Sequence, residues 1–524
     1  MANNQCPSCK VPIEDIGKKK FCEHCGTRLD ISTGSSAPPQ AVNKDKLWIA
    51  TGKEPIYMIS KMINRHGLVA GATGTGKTVS IKVLAEAFSD MGVPVFLADI
   101  KGDVSGLCKI GEPNKRVEER VHSMNIPDFA YCDYPVRFFD VYGKNGVPVR
   151  ATVSDMGPLL ISRILGLNDT QSGVLQVIFK IADDNNLLLI DLKDLQAIVK
   201  YASENAKEFS SKYGNISTVS VGSIQRNLLV LETNKGDVFL GEPALDLKDW
   251  MVCDEKGRGF INILDCVTLF QSPLLYSTFL LWMLSALYEM MPEVGDADKP
   301  KMVFFFDEAH ILFNDAPKVL LQKIEQVVRL IRSKGVGIYF ITQSPADVPD
   351  TVLSQLGNKI QHALRAYTPK DQKAVKATAA SFRPNPEFNS EKVLGELATG
   401  EALLSMLDEN GAPKMVQRAF ILPPKSFMGP AESERINGIV KNCPLYTKYG
   451  QMIDRESAYE VLEAQKAATA KQIKQPAVKQ PKAAAKKPAT RKTSAASKAV
   501  SSAANTIGRE AGRALIRGIL GNLK

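Results

Sequence analysis

The sequence predicts an α/β protein with a three-layer α/β/α core, a helical insertion, an N-terminal zinc ribbon and a disordered basic C-terminal tail. Two observations predict the core. A glycine-rich segment stands between an apolar run and a helical pattern, and short, continuously apolar runs recur, as in parallel strands buried on both faces. Paired cysteines near the start of the chain predict the zinc ribbon, and an Ala/Lys-rich stretch near its end predicts the disordered tail.

The glycine-rich segment has the spacing of a phosphate-binding loop. Glycines let a backbone turn its N–H groups toward an anion, and the helix that follows adds its positive end. A chance match is the alternative, but the strand before and the helix after argue against it. We therefore expect ATP to bind here, with Lys77 reaching the β- and γ-phosphates and Thr78 ligating Mg²⁺. The loop residues are Gly71, Ala72, Thr73, Gly74, Thr75, Gly76, Lys77 and Thr78.

The charge of the chain is unevenly distributed. The 524 residues, enough for two to four domains, carry a net charge of +10. From residue 466 onward, 14 Lys and Arg stand against the single acid Glu510, so this tail carries +13 and the remainder about −3. The basic character therefore belongs to the tail and does not argue for a basic core.

Residues 1–30 contain two cysteine pairs with the spacing of a zinc ribbon. Four thiolates at this spacing can surround one Zn²⁺, and the metal would supply the folding energy that so short a segment lacks. Free thiols or two disulfides are the alternatives. His24 lies within the second pair and is expected to be a bystander, because four sulfurs complete the site. The proposed ligands are Cys6, Cys9, Cys22 and Cys25.

The remaining features of composition predict a reduced, cytoplasmic protein. The N-terminus is polar and bears cysteine, so we expect no signal peptide, and the nine cysteines are expected to be reduced. The longest apolar stretch, Leu274–Met291, contains several polar residues and is interpreted as a buried helix rather than a transmembrane segment.

A linker is predicted over residues 31–46, and the core is predicted in two parts, residues 47–154 and 255–425. The first part contains strands at Val93–Asp99 and Val136–Val141. The polar cluster Asp99–Asp103 either faces the bound phosphates or is an ordinary turn after a strand. Helical periods and turn residues predict the helical insertion over residues 155–254.

A second chemical signature follows the apolar run 302–306. Asp307 and Glu308 come directly after this predicted strand, downstream of the phosphate loop. We expect Asp307 to hold Mg²⁺ through water and Glu308 to orient and deprotonate the attacking water. An exposed turn is the alternative. His310 is interpreted as a neighbour rather than a catalyst.

The next elements complete the predicted core. Residues 323–334 form an amphipathic helical pattern, and residues 338–343 form an apolar run that ends in Gln343. Gln343 would sense the γ-phosphate or the attacking water, or else it only caps the strand. Residues 401–407 and 415–422, separated by Asn-Gly, predict a closing hairpin.

Three segments are predicted at the C-terminal end. Residues 426–465 form short helices. Residues 466–504 lack apolar periodicity and are expected to be disordered, either as a solvated tail or as a tether to nucleic-acid phosphates. Residues 505–524 predict a short basic amphipathic helix that forms on docking to a partner subunit, the core or a membrane surface.

Together these motifs resemble the HerA/FtsK superfamily, and most closely its bacterial HerA-like helicase branch, formerly a domain of unknown function. The resemblance covers roughly residues 47–425. It rests on GATGTGKT (71–78), FLADIKGD (96–103), ATVSDMGPLL (151–160), FFFDEAHILF (304–313), the block 324–369 and GEALLSMLDENG (400–411).

The resemblance implies a RecA-like P-loop NTPase core that assembles as a hexameric ring. It implies ATP bound between subunits and an arginine finger from a neighbour, for which Arg365, then Arg332 and Arg329, are the candidates. HerA-like helicases commonly carry an N-terminal β-barrel, whereas here a zinc ribbon precedes the core. The nuclease partner of the archaeal relatives is therefore not carried over.

We interpret the chain as a ring-forming ATPase motor that translocates or unwinds double-stranded DNA. Two alternatives remain open. One is a nucleotide-switched scaffold whose zinc ribbon or C-terminal helix recruits a protein partner, and the other is a motor that acts on protein. Glu308 and Gln343 favour hydrolysis, because a pure switch needs neither.

Overall fold

The computed structural model describes residues 45–233, 235–295, 297–314, 316 and 318–473. The predicted zinc ribbon with its four cysteines, nearly all of the linker, and the predicted C-terminal helix lie outside the described residues. All statements about the structure concern the described part of the chain.

One 12-stranded sheet runs through this part of the molecule, in the order β2-β1-β12-β11-β10-β3-β9-β8-β4-β7-β5-β6. The strands are β1 (Lys46–Thr51), β2 (Pro55–Ile59), β3 (Gly67–Ala70), β4 (Val95–Asp99), β5 (Val136–Asp140), β6 (Val147–Pro148), β7 (Ile261–Asp265), β8 (Met302–Phe306), β9 (Val336–Thr342), β10 (Asn358–Gln361), β11 (Glu401–Ser405) and β12 (Gln417–Ile421).

The sheet has a parallel part and an antiparallel extension. The strands from β10 to β6 in the sheet order are parallel, with Leu97 of β4 in register with Phe305 of β8 and Ile263 of β7. β11 and β12 pair antiparallel, which confirms the predicted hairpin. β12 also pairs with β1, and β1 with β2, again antiparallel. The parallel strands β4, β8 and β9 are buried along their whole length and almost wholly apolar, as expected where both faces of a sheet are covered.

Along the chain, helices occur between these strands and after β12. They are α1 (Lys77–Asp90), α2 (Lys115–Ser123), α3 (Val153–Ile164), α4 (Asp169–Asp184), α5 (Leu192–Glu204), α6 (Ala206–Tyr213), α7 (Thr218–Thr233), α8 (Gly236–Phe239), α9 (Pro273–Met290), α10 (His310–Phe313), α11 (Lys318–Ile331), α12 (Asp350–Leu353), α13 (Pro369–Ala380), α14 (Ser390–Glu396), α15 (Ser433–Asn442), α16 (Pro444–Tyr449) and α17 (Ala458–Ile473).

Aromatic contacts show that helices cover both faces of the sheet. On one face, Phe88 of α1 lies against Phe305, with ring centroids 6.0 Å apart. Successive strand residues alternate between faces, so Phe306 points to the other side, where its ring lies 5.9 Å from that of Phe340. Phe313 of α10 contacts Phe340 there at 5.7 Å. The predicted three-layer arrangement is therefore present.

The segment between β6 and β7 is helical, as the sequence predicts, and contains α3 to α8. α3, α4 and α5 each begin with a capping box, in which the side chains of Thr152, Asn168 and Asp191 accept hydrogen bonds from the first-turn backbone. α3 packs on α9, which joins these helices to the rest of the protein. The middle of α9, from Leu275 to Leu284, is buried, and none of the described helices is long and apolar enough to cross a bilayer.

The C-terminal helix α17 corrects one predicted boundary. Disorder was expected from residue 466, but α17 continues to Ile473. Ala, Lys and Gln dominate this stretch and are strong helix formers, so the helix needs no apolar stripe to continue. Its earlier turns pack on α5, where Lys193 forms an ion pair with Glu460 at 2.9 Å.

Candidate nucleotide-binding site

The glycine-rich loop joins the end of β3 to the start of α1. Gly74 and Gly76 have φ angles of 77° and 115°, which side-chain-bearing residues rarely adopt. Two hydrogen bonds join the loop backbone to the chain at the ends of the neighbouring strands. Gly71 N–H donates to the carbonyl of Thr342 in β9, and Ala72 N–H donates to that of Ala363, just after β10. These two hydrogen bonds hold the start of the loop at the carboxyl edge of the parallel sheet.

Lys77 is the first residue of α1 and bends back over the loop. Its Nζ donates to the carbonyl oxygens of Gly71 at 2.5 Å and Ala72 at 3.2 Å. Burial and the charge of Lys101 lower the pKa of Lys77, whereas Glu308 opposes this shift. Since no described side chain caps α1, its first N–H groups face the loop, as an anion site requires.

The polar cluster after β4 both forms a turn and reaches the loop. Asp99 fixes the turn, since its carboxylate accepts hydrogen bonds from the backbone N–H groups of Gly102 and Val104. Burial and the nearby Asp103 raise the pKa of Asp99 to about 7. Asp103 extends toward α1, where the Thr78 hydroxyl donates to its Oδ2 at 3.0 Å. The turn is therefore present, and the orientation of the cluster toward bound phosphates stays a prediction.

Asp307 follows β8 at the same edge of the sheet. Its Oδ1 accepts a hydrogen bond from Glu308 N–H at 2.9 Å, and its own carbonyl accepts one from the Tyr276 hydroxyl at 2.8 Å. Burial, then the adjacent Glu308 charge, raises the pKa of Asp307 to about 6. Two carboxylates so close together repel each other, and a bound cation would relieve that repulsion.

Glu308 occupies an unusual position. It has a φ of 46°, and its side chain is only 9% exposed. Its Oε2 is buried without a hydrogen-bond partner among the described residues and lies 3.4 Å from Nδ1 of His310. Its Oε1 lies 4.0 Å from Nζ of Lys101. A buried carboxylate with a free acceptor atom at the end of a strand is suited to accept a proton from water.

The other predicted site residues lie at different places. Gln343 is exposed and follows β9, next to the loop strand, so it is at the same edge as Lys77 and Glu308. Arg365 is exposed and follows β10 at that edge. Arg329 and Arg332 lie at the opposite edge, because α11 ends just before β9 begins. The catalytic roles of these residues stay predictions.

Two supporting residues were not found from the sequence. The imidazole of His362 is buried between Ser80 of α1 and the carbonyl of Glu401, at 2.8 and 3.0 Å. Burial lowers the pKa of His362 to about 4, so the ring supports the loop without charge. Gly400 N–H donates to the Thr75 carbonyl at 2.9 Å. A lone histidine and a hairpin glycine carry no sequence signal for this role.

The residues present fit a magnesium ion beside the loop. The Asp103 carboxylate only accepts hydrogen bonds, so the Thr78 hydroxyl proton points to it and the lone pairs of Oγ1 stay available to a cation. Asp307 supplies the hard oxygen ligand that Mg²⁺ prefers. The four cysteines expected to bind zinc lie outside the described residues.

A glycine loop between a parallel strand and a helix, with paired carboxylates at the end of a neighbouring strand, defines the P-loop nucleoside-triphosphatase class of folds. Comparison with known families is consistent with this. The model of the helicase HerA-like C-terminal family matches residues 45–524, so the chain belongs to this family. The resemblance inferred from the sequence is confirmed.

Individual relatives are distant. The chain is 23% identical over 353 residues to the DNA double-strand break repair helicase HerA of Sulfurisphaera tokodaii, covering 65% of this chain and 62% of that one. It is 21% identical over 348 residues to the protein of the same name from Saccharolobus solfataricus, covering 65% and 61%. The match therefore spans about three fifths of the length of these curated relatives.

Solved structures support the fold. The plasmid coupling protein TrwB in complex with ADP and Mg²⁺ matches with a TM-score of 0.50 and 14% sequence identity. The match covers 72% of this chain and 90% of that one. At this identity the similarity concerns the fold alone.

Proposed function

We propose that this protein is an ATP-hydrolysing motor that assembles as a ring and moves along or unwinds double-stranded DNA. One observation carries the proposal of hydrolysis. The buried Glu308 carboxylate has an Oε2 without a hydrogen-bond partner among the described residues, and it stands at the same sheet edge as the phosphate loop. The side chain of Lys77 folds back over that loop. A site that only senses nucleotide has no need of such a base.

The residues divide the work of hydrolysis. The loop N–H groups and Lys77 bind the β- and γ-phosphates and neutralise the charge that develops on them. Thr78 and Asp307 would hold Mg²⁺, which, when bound, adds positive charge at the phosphate oxygens. Glu308 orients a water molecule and accepts its proton as the water oxygen attacks the γ-phosphorus. The bond from the γ-phosphorus to the β–γ bridging oxygen breaks, and ADP leaves with that oxygen. Gln343, which follows β9 at the same edge of the sheet, would hold the same water molecule.

The proposal also includes assembly as a ring, DNA as the substrate and a zinc ion bound near the N-terminus. Support for DNA comes from the names of the curated relatives and from the +13 tail, which suits a phosphate backbone. A ring would let the exposed Arg365 of one copy reach the triphosphate of the next. The four N-terminal cysteines would bind one Zn²⁺, which metal analysis of the full chain and of a Cys6→Ser/Cys9→Ser variant would test.

The test measures ATP hydrolysis with and without duplex DNA. We expect DNA to stimulate hydrolysis, Lys77→Ala to abolish it, and Glu308→Gln to lower it by about a hundredfold or more while ATP still binds. Glu289→Gln is the matched control, because this half-buried glutamate also has a buried oxygen without a described hydrogen-bond partner, but it lies near the end of α9, away from the loop.

The outcomes separate the alternatives. A slow rate that DNA leaves unchanged would contradict the DNA motor and favour the nucleotide-switched scaffold. Stimulation by a protein and not by DNA would favour a protein motor. A chain that remains a monomer by light scattering with ATP, with ADP and without nucleotide would exclude the ring.

A further inference from the structure

Lys101 is a cation at the candidate site to which the hydrolysis scheme gives no role. It lies two residues beyond β4, in the turn that Asp99 fixes. Lys101 N–H itself donates to Asp99 Oδ1, at 3.3 Å, so the backbone of Lys101 is part of that turn. The side chain is 48% exposed and extends toward the end of β8, the neighbouring parallel strand. A hydrogen bond to Asp99 thus fixes the backbone of Lys101, whereas its half-exposed side chain forms no hydrogen bond with the described residues.

The ammonium group of Lys101 pairs loosely with Glu308. The distance of 4.0 Å from Nζ to Oε1 permits electrostatic attraction but exceeds that of a hydrogen bond. The other oxygen of Glu308 lies 3.4 Å from His310 Nδ1 and forms no hydrogen bond with any described residue. The buried Glu308 carboxylate is therefore linked to Lys101 by electrostatic attraction without a hydrogen bond, and a stronger anion could take its place beside Lys101.

Lys101 also lies close enough to Lys77 for the two charges to interact. Burial, and then the charge of Lys101, lowers the pKa of Lys77, while the carboxylates of Glu308 and Asp307 act in the opposite direction. Two lysines and two carboxylates thus lie close enough beside the loop for their charges to interact. A triphosphate entering the space beside the loop brings negative charge and three acceptor oxygens on its last phosphate, which suit an ammonium group better than one carboxylate oxygen 4.0 Å away.

We propose that Lys101 senses the terminal phosphate of the nucleotide: it pairs with Glu308 in the nucleotide-free protein and transfers to the γ-phosphate when a triphosphate binds. The transfer leaves the Glu308 carboxylate free to take the proton of the attacking water. A diphosphate lacks the γ-phosphate and leaves the Lys101–Glu308 pair in place. This inference rests on the proposed hydrolysis and assigns Lys101 the discrimination between ATP and ADP.

The first experiment measures binding of fluorescent ATP and ADP analogues with Mg²⁺, and single-turnover hydrolysis of ATP, in Lys101→Met and Lys101→Arg. Methionine keeps the length of the side chain and removes its charge. We expect Lys101→Met to lose about tenfold in affinity for the triphosphate and to keep its affinity for the diphosphate within about twofold. Hydrolysis should fall in parallel, and Lys101→Arg should retain most of both properties.

A double-mutant cycle tests the exchange of partners. If Lys101 must leave Glu308 in order to bind phosphate, Glu308→Gln should tighten binding of the triphosphate, and this gain should shrink when Lys101 is already methionine. Equal gains in the two backgrounds would overturn the exchange. Lys115→Met is the control, since Lys115 forms a surface pair with Glu119 at a similar distance, 3.9 Å.

Other outcomes are equally decisive. If Lys101→Met weakens the triphosphate and the diphosphate equally, Lys101 only supports the loop and the inference fails. Unchanged affinities and rates would overturn it as well. If the unmodified protein binds ATP but never hydrolyses it, the proposed motor fails, while the binding measurements still decide whether Lys101 recognises the γ-phosphate. Thermal unfolding of each variant confirms that it is folded.

Discussion

The Thr78 hydroxyl donates a hydrogen bond of 3.0 Å to Asp103, which joins the first turn of α1 to the turn after β4. This bond orients the hydroxyl so that its lone pairs are available to a cation. We expect Asp103→Ala to raise the Mg²⁺ concentration needed for half-maximal ATP hydrolysis by about tenfold or more. Titration of Mg²⁺ at fixed ATP measures this effect.

Asp103→Asn is the matched variant, because the amide oxygen can still accept from Thr78. It should lose less than Asp103→Ala does. Equal magnesium requirements in the unmodified protein and Asp103→Ala would show that Thr78 needs no orienting partner.

Gly400 supports the loop from the start of β11, where its N–H donates to the Thr75 carbonyl. Its φ is 79°, and an added Cβ would lie 2.5 Å from Nη1 of Arg120. Gly400→Ala should therefore cost about 1–2 kcal/mol in unfolding free energy and weaken nucleotide binding, because the loop loses its support. Urea unfolding and a binding titration measure the two effects.

Gly395→Ala is the control for that substitution. Gly395 lies in α14, where an added Cβ meets nothing within 4 Å. Alanine there should be neutral or stabilising by up to about 1 kcal/mol. If both variants behave alike, Gly400 has no special role at the loop.

The sequence predicted those elements whose physical signal is local. The loop 71–78 was predicted from the spacing of its glycines, and the two acids after β8 were predicted from the apolar run that precedes them. β1 (KLWIAT) and β2 (PIYMI) were not predicted, because an apolar run this short does not by itself distinguish a strand from a buried helical segment. The pairing of Lys101 with Glu308 depends on β4 and β8 being neighbours in the sheet, although about 200 residues separate them.

Lys82 connects the loop helix to the chain that follows β12. Its buried Nζ donates to the carbonyls of Phe427 at 2.7 Å and Met428 at 3.3 Å. Burial lowers the pKa of Lys82 to about 8, with Glu86 opposing the shift. Lys82→Met keeps the packing but leaves these carbonyls without a donor, so we expect a loss of about 3 kcal/mol in urea unfolding.

Lys323→Met tests whether this loss is specific. Lys323 of α11 is also buried, yet its Nζ makes one long hydrogen bond, 3.4 Å, to Gln326. Its replacement should cost little. A similar loss in both variants would mean that burial of the side chain, rather than its bonds to the carbonyls, determines the stability.

The last prediction concerns the pH dependence of stability and rests on His66, which precedes β3. Its Nδ1 accepts a hydrogen bond from Ile338 N–H at 3.0 Å, so its Nε2 carries the proton and donates to the Val328 carbonyl at 2.8 Å. Burial chiefly, with a smaller effect from Arg332, lowers the pKa of His66 to about 4. The folded protein therefore keeps a neutral ring that the unfolded chain would protonate near pH 6.5.

The direction of the pH effect on the free energy of unfolding follows from which state, folded or unfolded, binds more protons. Between about pH 6.5 and 4 the unfolded state binds this proton and the folded state does not, so the contribution of His66 is complete above pH 6.5 and falls by about 3 kcal/mol as the pH approaches 4. Buried carboxyl groups with raised pKa values, such as Asp99 and Asp307, oppose this trend, so the overall slope is a sum. Comparison with His66→Asn, which tolerates the φ of 58°, isolates the histidine. The variant should be less stable at pH 7 but lose less stability on acidification, and parallel curves would show that His66 titrates alike in both states.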